Sequence, residues 1–101
     1  MKQGKTVFVD ATAEWCVTCA MNKKFVLNHP EIMQLLTKSD VVAMRADWTK
    51  QDPLITQFLQ KYERYGIPFN IVFTPHHPEG IALPEILSIG AVKEAFEKGS
   101  N

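Results

Sequence analysis

The stretch VFVDATAEWCVTC, residues 7–19, runs from an apolar segment rich in β-branched residues into the two cysteines of the chain. Two residues separate Cys16 from Cys19, and Asp10 interrupts the apolar segment six positions before Cys16. Thiols at this spacing can bind a metal, close a structural disulfide or act as a redox couple. The surrounding residues bear on which of these three the pair is.

The position of the pair, where a strand leads into a helix, predicts different roles for the two sulfurs. Cys16 should lie in the first turn of the helix, where unpaired backbone N–H groups and the helix dipole stabilise a thiolate. Cys19, three positions later on the same helix face, should lie deeper and close enough to form a disulfide. We therefore expect Cys16 to be the exposed nucleophile and Cys19 the thiol that resolves the mixed disulfide.

Metal binding explains the pair less well because the chain offers few further ligands. A structural zinc normally takes four protein ligands. The remaining candidates are His29, at a predicted helix start, and His76 and His77, in a predicted turn. A module that holds copper(I) or zinc on its thiolates stays open as an alternative, with Met21 as the nearby sulfur. A redox pair would need no cofactor, since its own sulfurs carry two electrons.

Four residues around the pair are further site candidates. Burial of Asp10 beneath the cysteines would raise its pKa and let it take a proton from Cys19, although a structural ion pair is the alternative. Trp15 could offer a flat apolar surface to a partner or belong to the core. The Ile67–Pro68 bond, at a strand entrance, can be cis, and the backbone of Ile67 could pair with an extended segment of a partner.

Hydrophobic periodicity predicts the element order β, α, α, β, α, β, β, α. Strands at 6–11, 41–47 and 69–74 are apolar on both faces, so helices should cover both sides of the sheet. The first helix should cover 16–27, and a second should begin at 28–31 with a proline in its first turn. A third should cover 52–66, and Ser88 should cap the last. A turn at 75–80 predicts a further antiparallel strand at 81–87, placed at the sheet edge by Pro84.

Composition is that of an ordinary globular domain. With 101 residues and 46% hydrophobic content, we expect one domain over residues 1–101. Eleven basic residues balance eleven acidic ones, which argues against nucleic acid as a partner. The longest apolar runs fall far short of the roughly 20 residues that span a bilayer. The start of the chain has no signal-peptide pattern, so we expect a cytosolic protein or a domain of a longer exported one.

The order of these motifs resembles the thioredoxin fold: a strand, an aspartate six residues before W-C-x-x-C, and a distant G-I-P. Within that superfamily, NHPEIMQLL, VVAMRADWT and LPEIL resemble the C-terminal thioredoxin-like domain of the DsbD family of thiol:disulfide interchange proteins and its copper-tolerance relatives of the ScsB type. The resemblance implies an α/β fold with a four-stranded mixed central sheet flanked by helices. It also implies that the first strand and helix of full thioredoxin are absent.

The same resemblance implies an electron relay on the periplasmic side of a bacterial inner membrane. The domain would be excised from a longer membrane-anchored protein, accept electrons from a transmembrane redox domain of that polypeptide, and pass them to periplasmic thiol–disulfide proteins. By position, it makes Cys16 the nucleophile, Cys19 the resolving thiol, Asp10 the buried acid and Pro68 the cis-proline. Lys23 stands where the family often has a glutamate. We expect a monomer.

The residues between the cysteines predict the direction of electron flow. Val17 and Thr18 supply no cation that would strongly depress the pKa of the nucleophile. We therefore predict a reducing couple at roughly −200 to −270 mV, and not near the −120 mV of a strong oxidant. A free-standing cytosolic disulfide reductase, which would use the same residues, is the alternative to the relay.

Overall fold

The structure of the chain, a computed structural model, describes residues 5–64 and 66–99. The described strands are β1 (Thr6–Thr12), β2 (Val41–Asp47), β3 (Phe69–Thr74) and β4 (His77–Ala82). The helices are α1 (Val17–Asn22), which continues as a π-helical segment (Lys23–Leu27), then α2 (Pro30–Leu36), α3 (Pro53–Lys61) and α4 (Ile89–Gly99). The predicted element order is confirmed.

The strands form one mixed sheet in the order β2-β1-β3-β4. β1 is parallel to β2 and antiparallel to β3, and β3 is antiparallel to β4. β1 therefore lies in the centre of the sheet and carries the chain directly into the cysteine pair. The predicted four-stranded mixed sheet is confirmed.

Helices pack on both faces of the sheet. A first hydrophobic cluster joins the sheet to α2 and α4, among others through Phe8, Ile32 and Val92. A second cluster, on the other face, joins the sheet to α3, among others through Ala11 and Leu59. Successive residues of a strand point to opposite faces, so β1 and β3 contribute to both clusters.

β2 is less covered than its sequence predicts. Val42 is 37% exposed and Met44 54%, whereas nearly every residue of β3 is buried. The expected cover by helices is therefore incomplete over β2. An apolar, β-branched segment indicates a strand that fits a pleated sheet. How far helices cover that strand depends on its position, and β2 lies at an edge of the described sheet.

β4 begins earlier than the predicted strand at 81–87. Thr74 pairs with His77 across a two-residue turn, and the His77 N–H donates to Thr74 Oγ1 at 3.1 Å. Gly80, inside β4, has a φ of 90°, a conformation that only glycine adopts without strain. The predicted six-residue turn is therefore wrong, since most of it belongs to the strand. The antiparallel pairing and the edge position are confirmed.

The segment after β4 leaves the sheet because a side chain of α1 holds it. The Asn22 Nδ2 donates to the carbonyl of Glu85 at 2.8 Å, and the Leu87 N–H donates to Asn22 Oδ1 at 3.0 Å. Pro84 thus lies outside the strand that it was expected to place at the edge. Asn22 is itself buried, so this link between the first helix and a distant segment belongs to the core.

The predicted helix starts are confirmed, but one helix end differs. Asp52 Oδ1 accepts a hydrogen bond from the Leu54 N–H at 2.8 Å, and Ser88 Oγ accepts one from the Ala91 N–H at 3.0 Å. α3 ends at Lys61, short of the predicted stop at residue 66, because the chain turns into a left-handed conformation two residues later, with a φ of 60°. Within the described residues, every helix is too short or too polar to cross a membrane.

Candidate redox site

Cys16 and Cys19 form a disulfide at the start of α1. Their Cα atoms are 5.2 Å apart, a usual separation for bridged cysteines. Cys16 is the N-cap residue, and its Sγ accepts a hydrogen bond from the Cys19 N–H at 3.1 Å. A backbone donor aimed at this sulfur favours its thiolate form once the disulfide is reduced.

Both cysteines are buried in this oxidised form. Cys16 is 8% exposed and Cys19 5%. The prediction of an exposed Cys16 is therefore wrong for the disulfide state, because Ala13 and Ile67 pack around both cysteines. An attacking sulfur has access to only a small part of the disulfide.

The distant proline loop lies against the disulfide, as predicted. The Ile67–Pro68 bond is cis. Ile67 packs on the cluster formed by Ala13, Cys16 and Cys19, and Pro68 is buried. The fold thus brings together two sequence segments that are about half a chain apart. Pairing of the Ile67 backbone with a partner segment stays a prediction.

Trp15 lies on the surface beside the disulfide. Its side chain is 54% exposed, so the alternative of a core residue is wrong. The indole Nε1 donates to the carbonyl of Thr49 at 2.9 Å, and the ring lies 6.1 Å from that of Trp48. The indole is therefore held in place while part of its face stays open. Its contact with a partner stays a prediction.

The loop after β2 holds the loop before Cys16. The Glu14 N–H donates to Thr49 Oγ1 at 3.0 Å, and the Thr49 N–H donates to the Asp47 carboxylate at 2.9 Å. Hydrogen bonds from the Thr49 side chain and backbone hold the pKa of Asp47 below its ordinary value. The sequence does not predict these contacts, since nothing in its pattern places the two loops side by side.

Asp10 is a partly buried acid within β1, which extends beyond it to Thr12. Burial raises the pKa of Asp10 above its ordinary value, and this is the largest influence on it. A hydrogen bond from Asn70 Nδ2 at 2.8 Å and the nearby charges of Arg45 and Lys23 act in the opposite direction. The predicted direction of the shift is confirmed.

A small cavity of about 150 Å³ is shared by Asp10 and Cys19. Its lining includes Asp10, Cys19, Lys23 and Arg45. The structure thus brings together the acid and the sulfur that the sequence predicts to exchange a proton, and it places a second cation, Arg45, beside them. Arg45 is the cross-strand neighbour of Asp10 in the parallel pair β1–β2, so only the register of the sheet reveals it.

Within the described residues, the histidine candidates do not join the cysteines in a metal-binding group. Across residues 5–64 and 66–99, no group of three or more His, Cys, Asp and Glu side chains has an arrangement that could hold a metal ion. His29 caps α2, where its Nδ1 accepts a hydrogen bond from the Glu31 N–H at 3.2 Å. His77 lies at the start of β4, beside Glu79.

Comparison with known proteins agrees with this site. The sequence model of the family described as thioredoxin-like matches residues 1–75. The thiol:disulfide interchange protein DsbD 1 of Pseudomonas aeruginosa is 31% identical over 88 residues, which are 87% of this chain and 15% of the relative. A DsbD of Haemophilus ducreyi is 30% identical over 71 residues, which are 70% of this chain and 12% of the relative. The chain thus spans only a small part of these relatives.

Solved structures show the same fold. The C-terminal domain of Neisseria meningitidis DsbD in its oxidised form superposes with a TM-score of 0.71 at 24% identity, covering 94% of this chain and 80% of that domain. A thioredoxin from Thermus thermophilus superposes with a TM-score of 0.71 at 20% identity, covering 93% and 73%. The family match and the superpositions thus indicate the same fold. The chain belongs to the thioredoxin-like family, and its Cys16–Cys19 disulfide closes at the start of α1.

Proposed function

We propose that the chain is a reducing relay domain, which exchanges dithiol for disulfide with two protein partners in turn. The observation that carries the proposal is the Cys16–Cys19 disulfide, which closes at the start of α1 next to the Ile67–Pro68 loop and shares a cavity with Asp10. A structural crosslink would need neither a backbone donor on one sulfur nor a buried acid beside the other. Both features serve a disulfide that opens and closes.

The reaction begins with the thiolate of reduced Cys16. It attacks one sulfur of a partner disulfide, so that the partner S–S bond breaks and a bond between Cys16 and the partner forms. The second partner sulfur leaves as a thiolate. The Cys19 N–H, which donates to the Cys16 sulfur in the oxidised form, stabilises the attacking thiolate in the same way.

Cys19 completes the exchange. It passes its proton to the Asp10 carboxylate across the cavity that both line, and its thiolate attacks the sulfur of Cys16. The mixed disulfide breaks, the partner leaves as a dithiolate that takes protons from water, and the Cys16–Cys19 bond forms. The partner has gained two electrons and the domain has lost two, with no further cofactor.

The surface around the disulfide would receive the partner. Trp15 presents an exposed indole next to Cys16 in the chain, and Ile67, which precedes the cis-proline Pro68, packs on the cysteines. An extended partner segment that carries the target cysteine could add its backbone alongside Ile67, as peptides add to free strand edges. Trp15, Ile67 and Pro68 are therefore the proposed substrate-binding residues.

The proposed partners follow from the family likeness. Relatives named thiol:disulfide interchange proteins match the chain over only 12% to 15% of their length. We propose that residues 1–101 form one domain of a longer membrane-anchored protein, on the periplasmic side of a bacterial inner membrane. A transmembrane redox domain of that polypeptide would reduce it, and periplasmic thiol–disulfide proteins would oxidise it. A monomer suits this role, because one active site must face both partners.

The equilibrium reduction potential of the Cys16–Cys19 couple tests the proposal. The protein is equilibrated with thiol buffers of defined potential, alkylated and analysed by intact mass, with Cys19→Ser as a control that cannot form the intramolecular disulfide. We expect a two-electron couple at roughly −200 to −270 mV. A couple near −120 mV would reverse the direction to disulfide formation. Absence of any intramolecular couple would refute the proposal altogether.

A further inference from the structure

Asn70 is a buried polar side chain that faces Asp10 directly. The two residues are paired in the antiparallel ladder of β1 and β3, and Asn70 is 1% exposed. Its Nδ2 donates to Asp10 Oδ1 at 2.8 Å. Its backbone carbonyl accepts from the Leu83 N–H at 2.8 Å, which ties Asn70 to the segment that follows β4. The contact with Asp10 is therefore set by the sheet.

The other half of the Asn70 amide has no such partner. Its Oδ1 is buried and accepts no hydrogen bond from any of the described residues. Buried acceptors without a partner are rare, because they lose their hydrogen bonds to water and gain none in return. An apolar side chain of similar size would avoid this cost in a strand that is otherwise largely hydrophobic. Packing alone does not explain an asparagine here.

We propose that Asn70 is a positioning residue that holds the Asp10 carboxyl group in both of its protonation states. The inference rests on the proposed exchange reaction, in which Asp10 gains the proton of Cys19. The ionised carboxylate accepts from Nδ2, as the structure shows. The protonated carboxyl is a donor, and a half-turn of the amide exchanges Nδ2 for Oδ1, which then accepts that proton. Asn70 Oδ1, which has no partner beside the carboxylate, thus gains one when Asp10 is protonated.

The charged groups that face Asp10 each favour only one state. Lys23, from the π-helical segment, and Arg45, from β2, lower the pKa of Asp10, whereas burial raises it. Cys19, from α1, lines the same cavity and is the proposed proton source. The neutral amide of Asn70 differs from these groups because it can donate to the carboxylate and accept from the acid. It keeps the carboxyl group in one place while the proton arrives and leaves.

The test compares Asn70→Leu with Thr74→Val. Both variants remove a buried hydrogen-bonding side chain from the same face of β3. Thr74 serves as the control because it lies four residues from Asn70 and its Oγ1 accepts from the His77 N–H, not from Asp10. Carboxyl carbon NMR follows the titration of Asp10 in the oxidised protein, and the side-chain amide signals of Asn70 are followed in parallel. Rapid quenching measures how fast Cys19 resolves a mixed disulfide between Cys16 and a small aromatic thiol.

We expect the amide signals of wild-type Asn70 to change with the same midpoint as Asp10. Asn70→Leu should raise the pKa of Asp10 further, because a donor to the carboxylate is lost. It should also slow the resolving step about tenfold at neutral pH. Thr74→Val should change neither. An unaltered Asp10 titration in Asn70→Leu, or an equal change in Thr74→Val, would overturn the inference.

Asn70→Asp provides the test if Asn70→Leu fails to fold. Two carboxyl groups that face each other interact strongly, so Asp10 should then titrate in two separate steps. A single unchanged step would show that residue 70 does not hold Asp10. The NMR titration needs no turnover. Failure of wild-type protein to exchange with any disulfide would refute the proposed function, whereas the titration decides the role of Asn70 in either case.

Discussion

Phe8 and Asp10 lie two residues apart on the same face of β1, yet their surroundings are opposite in character. Phe8 is 2% exposed, belongs to the first hydrophobic cluster and stacks on Phe96 with ring centroids 6.2 Å apart. Asp10 borders the cavity that also reaches Cys19. Within about 7 Å along one strand, the helix–sheet interface changes from packed hydrocarbon to an ionisable group.

The difference shows how one strand can serve both stability and chemistry. At Phe8, the interface removes apolar surface from water, which is the main source of folding free energy. At Asp10, the same interface holds a carboxyl group whose charged form is disfavoured by burial. The disulfide lies at the end of the strand where packing has given way to this cavity. Substitutions at the two positions should therefore affect different properties.

The largest effect is expected from Phe8→Ala. Loss of a buried aromatic ring leaves a cavity in the first hydrophobic cluster and should lower the free energy of unfolding by about 3–5 kcal/mol. Urea unfolding of the oxidised protein measures this loss, with Leu54→Ala as the control. Leu54 is 75% exposed, so its truncation should change stability by less than about 0.5 kcal/mol. Similar losses of stability in both variants would show that the buried ring of Phe8 does not stabilise the fold more than an exposed side chain does.

Asp10→Asn should affect the rate of exchange more than stability. The amide keeps the size of the side chain and an acceptor for Asn70, but it cannot take the proton of Cys19. We expect the resolving step to slow about 100-fold, within the usual range for loss of a general base. The exposed Asp40 provides the matched control, because Asp40→Asn removes the same charge from a residue that does not line the cavity. Equal rates in the two variants would show that Asp10 is not the proton acceptor.

Much of this arrangement could be predicted from the sequence, because the decisive residues follow local rules. The first strand leads directly into Cys16. The cap at Ser88 and the proline at the start of α2 each depend on only a few neighbouring residues. The cis bond before Pro68 and its approach to the cysteines came from the family resemblance. These features depend on short-range preferences or on motif order, both of which a single sequence carries.

The features that the sequence did not predict depend on register and on contacts between distant segments. Asn70 is one polar residue in a strand, and only its pairing with Asp10 gives it a role. The strand predicted at 81–87 was wrong because Asn22, about 60 residues earlier, binds the segment at Glu85 and Leu87. Hydrophobic periodicity contains no information about such long-range hydrogen bonds.

The smallest expected effect is on the pH dependence of stability. Because burial raises the pKa of Asp10 in the folded protein above its unfolded value, the folded state binds more protons between those two values. The wild-type protein should therefore lose stability relative to Asp10→Asn as pH rises through that window. Urea unfolding on both sides of the window measures the difference, which should be well below the cost of Phe8→Ala.

Asp47 provides the control of opposite sign for this comparison. Hydrogen bonds from Thr49 hold the pKa of Asp47 below its ordinary value, so its contribution to stability is present at neutral pH and is lost as pH falls through the folded pKa. Asp47→Asn should therefore be less stable than wild type at neutral pH and approach it in acid. If Asp10→Asn followed the same course, hydrogen bonding and nearby cations would outweigh burial at Asp10. The carboxyl group would then lack the raised pKa that suits it to take a proton from Cys19.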